Sequence, residues 1–219
     1  MSIISLKNIS KLFKKRLILE DISFEIAEGK ITCLLGNSGS GKTTILRLIA
    51  GLEKPSEGKI MIDNRLVAKD KEILVPPSQR EIGFIFQDLA LWSHMSVYEN
   101  IAFGLKVQKS QNIEEKVVEI LTFFGIEQYK NSYPNQISGG QQQLVAIARS
   151  LVLKPKILLM DEPLANLDIH LKKKMRNQIK ALRDSFNVTI IYVTHDHEEA
   201  SALADEILVV KGGKISKKC

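Results

Sequence analysis

Hydrophobic and polar positions change period along this chain, and each change predicts an element. Residues 3–8 alternate weakly and residues 17–26 alternate more clearly, which predicts two strands parted by Phe13 and a basic turn. Glu28-Gly29-Lys30 ends the second. Ile31-Thr32-Cys33-Leu34-Leu35 is an apolar run, Gly36 to Thr44 is glycine-rich, and residues 45–50 are amphipathic. That order reads as strand, turn and helix. Residues 59–62 and 65–67 make a hairpin around Asp63-Asn64, a pair that tolerates positive φ. Pro76-Pro77-Ser78 breaks the chain, and residues 81–86 form a short apolar strand ending at Gln87. From Ser93 to Leu153 the period is helical: Ile113, Val117, Ile120, Leu121 and Phe124, then Leu144, Ile147, Ala148 and Leu151 after Gly125 and Pro134. Residues 156–160 and 188–193 are continuous apolar runs, as in strands buried on both faces of a parallel sheet. Leu171, Met175, Ile179, Leu182 and Phe186 mark one helix face between them. A short helix over 197–203, a strand over 206–210 and an edge strand after Lys211-Gly212-Gly213-Lys214 complete the pattern.

Strands alternating with helices predict an α/β fold with a mostly parallel sheet. An antiparallel β-layer at the N-terminus lies beside it. The whole chain, 1–219, reads as one domain. Residues 1–88 and 153–219 form its core, and 89–152 a helical lobe inserted into that core. Ligands of such sheets bind at the carboxyl ends of strands. Gly36, Gln87, Asp161 and His195 each follow a predicted strand directly, so one sheet edge gathers all four.

Gly36-Asn37-Ser38-Gly39-Ser40-Gly41-Lys42-Thr43-Thr44 fits the P-loop pattern G-x-x-x-x-G-K-[ST]. Gly36, Gly39 and Gly41 are expected at positive φ, letting successive N–H groups curl around phosphate oxygens at a helix N-terminus. Lys42 places a cation between the β- and γ-phosphates, and the Thr43 hydroxyl is suited to Mg²⁺. Ile157-Leu158-Leu159-Met160 buries a strand with two carboxylates at its tip. Asp161 is placed to hold Mg²⁺, and Glu162 to orient and deprotonate a water attacking the γ-phosphate. Ser138 and Gln141 fit the S-x-x-Q capping box, and Gly139-Gly140 leave that helix terminus open as a second anion site.

Composition narrows the reading. The 219 residues are 44% hydrophobic, enough to bury a core, and no stretch reaches the roughly 18 apolar residues of a spanning helix. No cleavable leader is visible, so the cytosol is expected. Two cysteines, Cys33 in a strand and Cys219 at the end, form neither a disulfide framework nor a metal site. The net charge of +6 is concentrated in Lys14-Lys15-Arg16, Lys172-Lys173-Lys174 and Lys217-Lys218, runs that read as solvated faces.

At Ser138-Gly139-Gly140-Gln141 the chain resembles the signature motif of ATP-binding-cassette (ABC) ATPases. The resemblance extends to the P-loop, Gln87, the Asp161-Glu162 pair, the turn Leu164-Ala165-Asn166-Leu167-Asp168, and His195, in the family's order. Pro76-Pro77-Ser78-Gln79-Arg80 and residues 87–105 look most like importer ATPases of the maltose, polyamine and ferric-iron type. The resemblance implies cassettes paired head to tail, as a homodimer or heterodimer. Each ATP lies between the P-loop of one copy and Ser138, Gly140 and Gln141 of the other. Glu162 is then the general base, His195 contacts the γ-phosphate, Gln87 touches Mg²⁺ or the attacking water, and Asp168 builds the dimer interface. Phe13 matches the position where the family stacks a ring on adenine. Trp92 lies where the family receives a helix of its membrane partner, and reads equally as a core residue. Integral-membrane permease subunits and a solute-binding protein are the implied partners, and the inner face of the cell membrane the implied location. Ile137 stands where Leu is more usual and Ala165 where Ser is frequent. Many such importers carry a C-terminal β-rich regulatory domain, for which no residues follow. A soluble ABC ATPase acting on nucleic acid or the ribosome is the alternative from another class. The basic charge favours it, while the single cassette and the lack of a nucleic-acid motif oppose it. An exporter ATPase and a nucleotide kinase are further readings; the kinase leaves residues 138–141 unexplained.

Overall fold

A computed structural model describes residues 1–165 and 167–218; Asn166, within the family-like turn, and Cys219 lie outside the described residues. Strands β1 (Ser2–Phe13) and β2 (Arg16–Ala27) pair antiparallel through a turn at Lys14-Lys15, both at positive φ (43° and 73°). A two-residue hairpin needs that handedness to match strand twist. Two lysines gave no sign of so tight a turn, and both strands are longer than the alternation predicted. β4 (Glu57–Ile62), β5 (Arg65–Lys69) and the two-residue β6 (Glu72–Ile73) extend this sheet in the order β2-β1-β4-β5-β6. Asp63 and Asn64 turn with φ of 50° and 58°, as their types predict.

The second sheet has the order β11-β10-β3-β9-β8-β7. Here β3 is Ile31–Leu35, β7 Ile82–Ile85, β8 Ile157–Asp161, β9 Thr189–Thr194 and β10 Glu206–Lys211, all parallel, with β11 (Lys214–Lys218) antiparallel at the edge. Its central strands are buried on both faces, and successive side chains serve different cores. Leu34, Ile157, Leu159, Ile191 and Val193 pack with α1 (Lys42–Ala50) and the antiparallel sheet. Cys33, Leu158, Met160, Ile190 and Tyr192 pack on the opposite side, in a core shared with helices α2 to α6. Those helices are α2 (Val97–Val107), α3 (Ile113–Phe124), α4 (Gly139–Leu151), α5 (Ile169–Phe186) and α6 (His197–Leu203). The first three lie between β7 and β8, and no strand occurs among the described residues 89–152. The β10–β11 turn is wedged beside β2: the Glu20 N–H donates to the Gly213 carbonyl at 2.9 Å. A Cβ on Gly213 would stand 2.5 Å from the Ile18 carbonyl oxygen. No helix among the described residues is long and apolar enough to cross a membrane.

Candidate active site

The glycine-rich loop runs from β3 into α1. Gly39 and Gly41 have φ of 75° and 108°, as expected. Gly36 does not need positive φ, contrary to expectation; it is required for space. A Cβ there would sit 2.2 Å from the Val210 carbonyl oxygen. Lys42 is 4% exposed, and its Nζ donates to the carbonyls of Gly36 (2.7 Å) and Asn37 (3.0 Å), so the lysine ties the loop into a ring. The first-turn amides of α1 have no partner within the helix and lie at its positive end.

Strand order brings the other motif residues to this loop. β3, β9, β8 and β7 are successive neighbours, so the residues at their carboxyl ends share one edge. A cleft of about 760 Å³ there is lined by Asn37, Ser38, Gly39, Gly41, Lys42, Thr43, Thr44, Gln87, Glu162 and His195. Thr43 Oγ1 donates to Asp161 Oδ1 at 3.0 Å. Asp161 is 5% exposed, and burial pushes its carboxyl above the usual range against the pull of that hydrogen bond. An oxygen-only pair containing a desolvated carboxylate suits a small hard cation, which favours the ionised form; the site fits Mg²⁺. Glu162 has φ of 44°, uncommon for a residue with a side chain, and the bend turns it away from its neighbour. Its Oε1 lies 3.7 Å from Lys42 Nζ, and its Oε2 lies 3.0 Å from His195 Nδ1. The Glu162 carboxylate, the Lys42 ammonium and the His195 imidazole therefore meet in one cleft.

Other expected residues lie apart. Phe13, at the end of β1, is 52% exposed, has Lys11 Nζ 5.5 Å from its ring centroid, and does not line the cleft. Arg16 and Ile18 line it instead. They had carried no signal beyond a basic turn and a strand. Ser40 also lies off the lining; its hydroxyl is buried without a hydrogen-bond partner. Ser138, Gly139, Gly140 and Gln141 begin α4, away from the cleft lining. Their capping box forms as predicted: Ser138 Oγ accepts from the Gln141 N–H (3.3 Å), and Gln141 Oε1 from the Ser138 N–H (2.7 Å). Asp168 caps α5, accepting from the Leu171 N–H at 2.9 Å. Trp92 is half-buried between Phe103, with centroids 4.6 Å apart, and the Arg149 guanidinium, 4.8 Å from the ring.

Comparison with known proteins agrees with this architecture. The family described as ABC transporter matches residues 19–165. The Fe(3+) ions import ATP-binding protein FbpC of Photorhabdus laumondii is 49% identical over 214 residues, 97% of this chain and 60% of that protein. The trehalose/maltose import ATP-binding protein MalK of Thermococcus litoralis is 45% identical over 220 residues, 99% of this chain and 59% of that protein. The chain thus spans about 60% of the length of these relatives. Among solved structures, cbiO1 of Clostridium perfringens, part of the ABC transporter complex cbiONQ, superposes with a TM-score of 0.89 at 32% identity, covering 98% of this chain and 87% of that one. A dimeric ATP-binding cassette in a post-hydrolysis state with ADP and Pi gives 0.86 at 33% identity, covering 98% and 97%. On matched motifs, shared fold and sequence identity together, this chain belongs to the ABC transporter family.

Proposed function

We propose that the chain is the ATP-hydrolysing nucleotide-binding subunit of an ABC importer, working peripherally on the cytoplasmic face of the cell membrane. The observation that carries this reading is the cleft in which Lys42, Glu162 and His195 converge at the P-loop. In it, the loop amides and Lys42 bind the triphosphate. Glu162 orients a water and takes its proton, and a ring N–H of His195 donates to the γ-phosphate. Thr43, Asp161 and Gln87 would hold Mg²⁺, which when bound neutralises charge on the β- and γ-phosphate oxygens. Ser138, Gly139, Gly140 and Gln141 form a second anion-type helix end outside this cleft. A head-to-tail pair of cassettes, identical or different, gives that end a triphosphate to close on, and the dimeric ADP-bound neighbour supports it. Membrane permease chains and a solute-binding protein are the proposed partners, and nucleic acid is not. Relatives named for iron(III) and for trehalose/maltose match almost equally well, which supports a solute chosen by the partner chains rather than by the cassette.

Lys42→Ala tests the reading. It removes the phosphate cation and leaves two carbonyls without their donor. ATP turnover measured as phosphate release is expected to fall at least about 100-fold. Turnover within about twofold of wild type would defeat the assignment.

A further inference from the structure

Beneath His195 lies a carboxylate that the steps above do not use. Glu199, on α6, is 3% exposed. Its Oε2 accepts from Tyr192 Oη at 3.0 Å and from Thr194 Oγ1 at 2.9 Å. Its Oε1 lies 2.9 Å from Lys172 Nζ, four positions after the Asp168 cap of α5. Packing alone does not explain this group, since an apolar side chain would fill the space without the cost of desolvating a charge.

What the network holds is the backbone around His195. The Thr194 hydroxyl, while donating to Glu199, accepts from the Asp196 N–H at 3.0 Å. The Thr194 carbonyl accepts from the Gly36 N–H at 3.4 Å, so the same residue abuts the phosphate loop. Asp196 Oδ1 accepts from the Glu198 and Glu199 N–H groups at 2.8 and 3.2 Å, closing the turn onto α6. Residues on both sides of His195 are therefore fixed, directly or through one hydroxyl, to Glu199. The imidazole itself is 58% exposed, and among the described residues its hydrogen-bonding contact is with Glu162.

We infer that Glu199 is a positioning residue for hydrolysis: it sets the 194–196 turn so that His195 stays within reach of Glu162, and through Lys172 it ties that setting to the start of α5. The inference rests on the ATPase reading above. Two near-isosteric variants test it, Thr194→Val, which deletes the shared hydroxyl, and Glu199→Gln, which deletes the charge facing Lys172. Each is expected to lower kcat about tenfold or more while changing the affinity for a fluorescent ATP analogue less than about twofold. Without nucleotide, the imidazole ¹⁵N shifts of His195, assigned with His195→Ala, should move in both variants while those of His94 and His170 stay fixed. Thr194→Ser should restore both the rate and the shifts. Unmoved His195 shifts, or kcat and affinity falling together, would overturn the role, and so would failure of both variants to fold. If Glu199→Gln alone fails to fold, Thr194→Val decides. A wild-type protein that does not hydrolyse ATP would sink the ATPase reading, and the His195 shifts would still report whether the turn is set by Glu199.

Discussion

At the tip of β8, two consecutive carboxylates differ in environment and so in chemistry. Asp161 is buried, with the Thr43 hydroxyl as its hydrogen-bond donor, whereas Glu162 turns through a left-handed bend toward Lys42 and His195. Burial raises the Asp161 carboxyl above its ordinary value of 3.8. The folded state therefore holds that proton at pH values where the unfolded chain has released it. The site costs stability progressively as pH rises from the ordinary value through the folded one. Asp161→Asn removes the desolvated charge and leaves Thr43 an acceptor. In nucleotide-free protein at about pH 7 it should raise the melting temperature by about 3 °C, and the difference should fade as pH falls to the ordinary carboxyl range. The same variant should lose the extra stabilisation that Mg²⁺ adds to ATP. Thermal melts with and without Mg-ATP measure both outcomes. A variant less stable than wild type at neutral pH would mean that the Thr43 hydrogen bond outweighs the cost of burying the charge.

Among the elements, the legible ones were those whose residues announce one environment. β3, β8 and β9 are dominated by apolar residues because both faces are covered, and their motif residues stand at or just beyond their carboxyl ends. The S-x-x-Q box at α4 and the Asp63-Asn64 turn formed as their chemistry demands. Residues whose role depends on distant partners were hidden. Arg16 and Ile18 enter the cleft only because the β1–β2 hairpin lies beside the loop. Arg80, read in the sequence only as part of the importer-like stretch Pro76-Pro77-Ser78-Gln79-Arg80, is 4% exposed. Its guanidinium donates to the carbonyls of Leu48 and Ile49 at the end of α1, and to those of Val67 and Val75. Burial draws its pKa down to about 10, which leaves it charged at neutral pH. A cation there complements the α1 C-terminus and joins the P-loop helix to the β-layer. Arg80→Met takes the guanidinium donor from the Ile49 and Val75 carbonyls, while those of Leu48 and Val67 keep backbone N–H donors from Gly51 and from Leu74 and Val75; it is expected to cost about 3 kcal/mol in urea unfolding. A loss under about 0.5 kcal/mol would mean that water replaces the guanidinium without penalty.

Taken as a whole, the molecule presents two phosphate-type helix ends, α1 within the cleft and α4 outside it. In the function proposed above, one chain uses the first, and a second chain, reversed, gives the other its counterpart. Glu162→Gln keeps the volume and the approach to His195 but removes the carboxylate proposed as the base. With ATP and Mg²⁺ it is expected to accumulate as a dimer on size exclusion, because the closed state forms and does not turn over. A monomer under saturating ATP would count against the shared pocket. Lys42→Ala should remain monomeric under the same conditions, which separates loss of binding from loss of chemistry.

The last hairpin has a mechanical consequence. A methyl group would clash with the Val210 carbonyl at Gly36 and with the Ile18 carbonyl at Gly213, so the main chain of β10–β11 approaches the phosphate loop and β2 at once. A displacement of the main chain at 210–213 meets the phosphate loop and β2 at these two points through backbone atoms, with no side chain between them. The β10–β11 hairpin is in this sense a lever whose short arm ends at the phosphate loop.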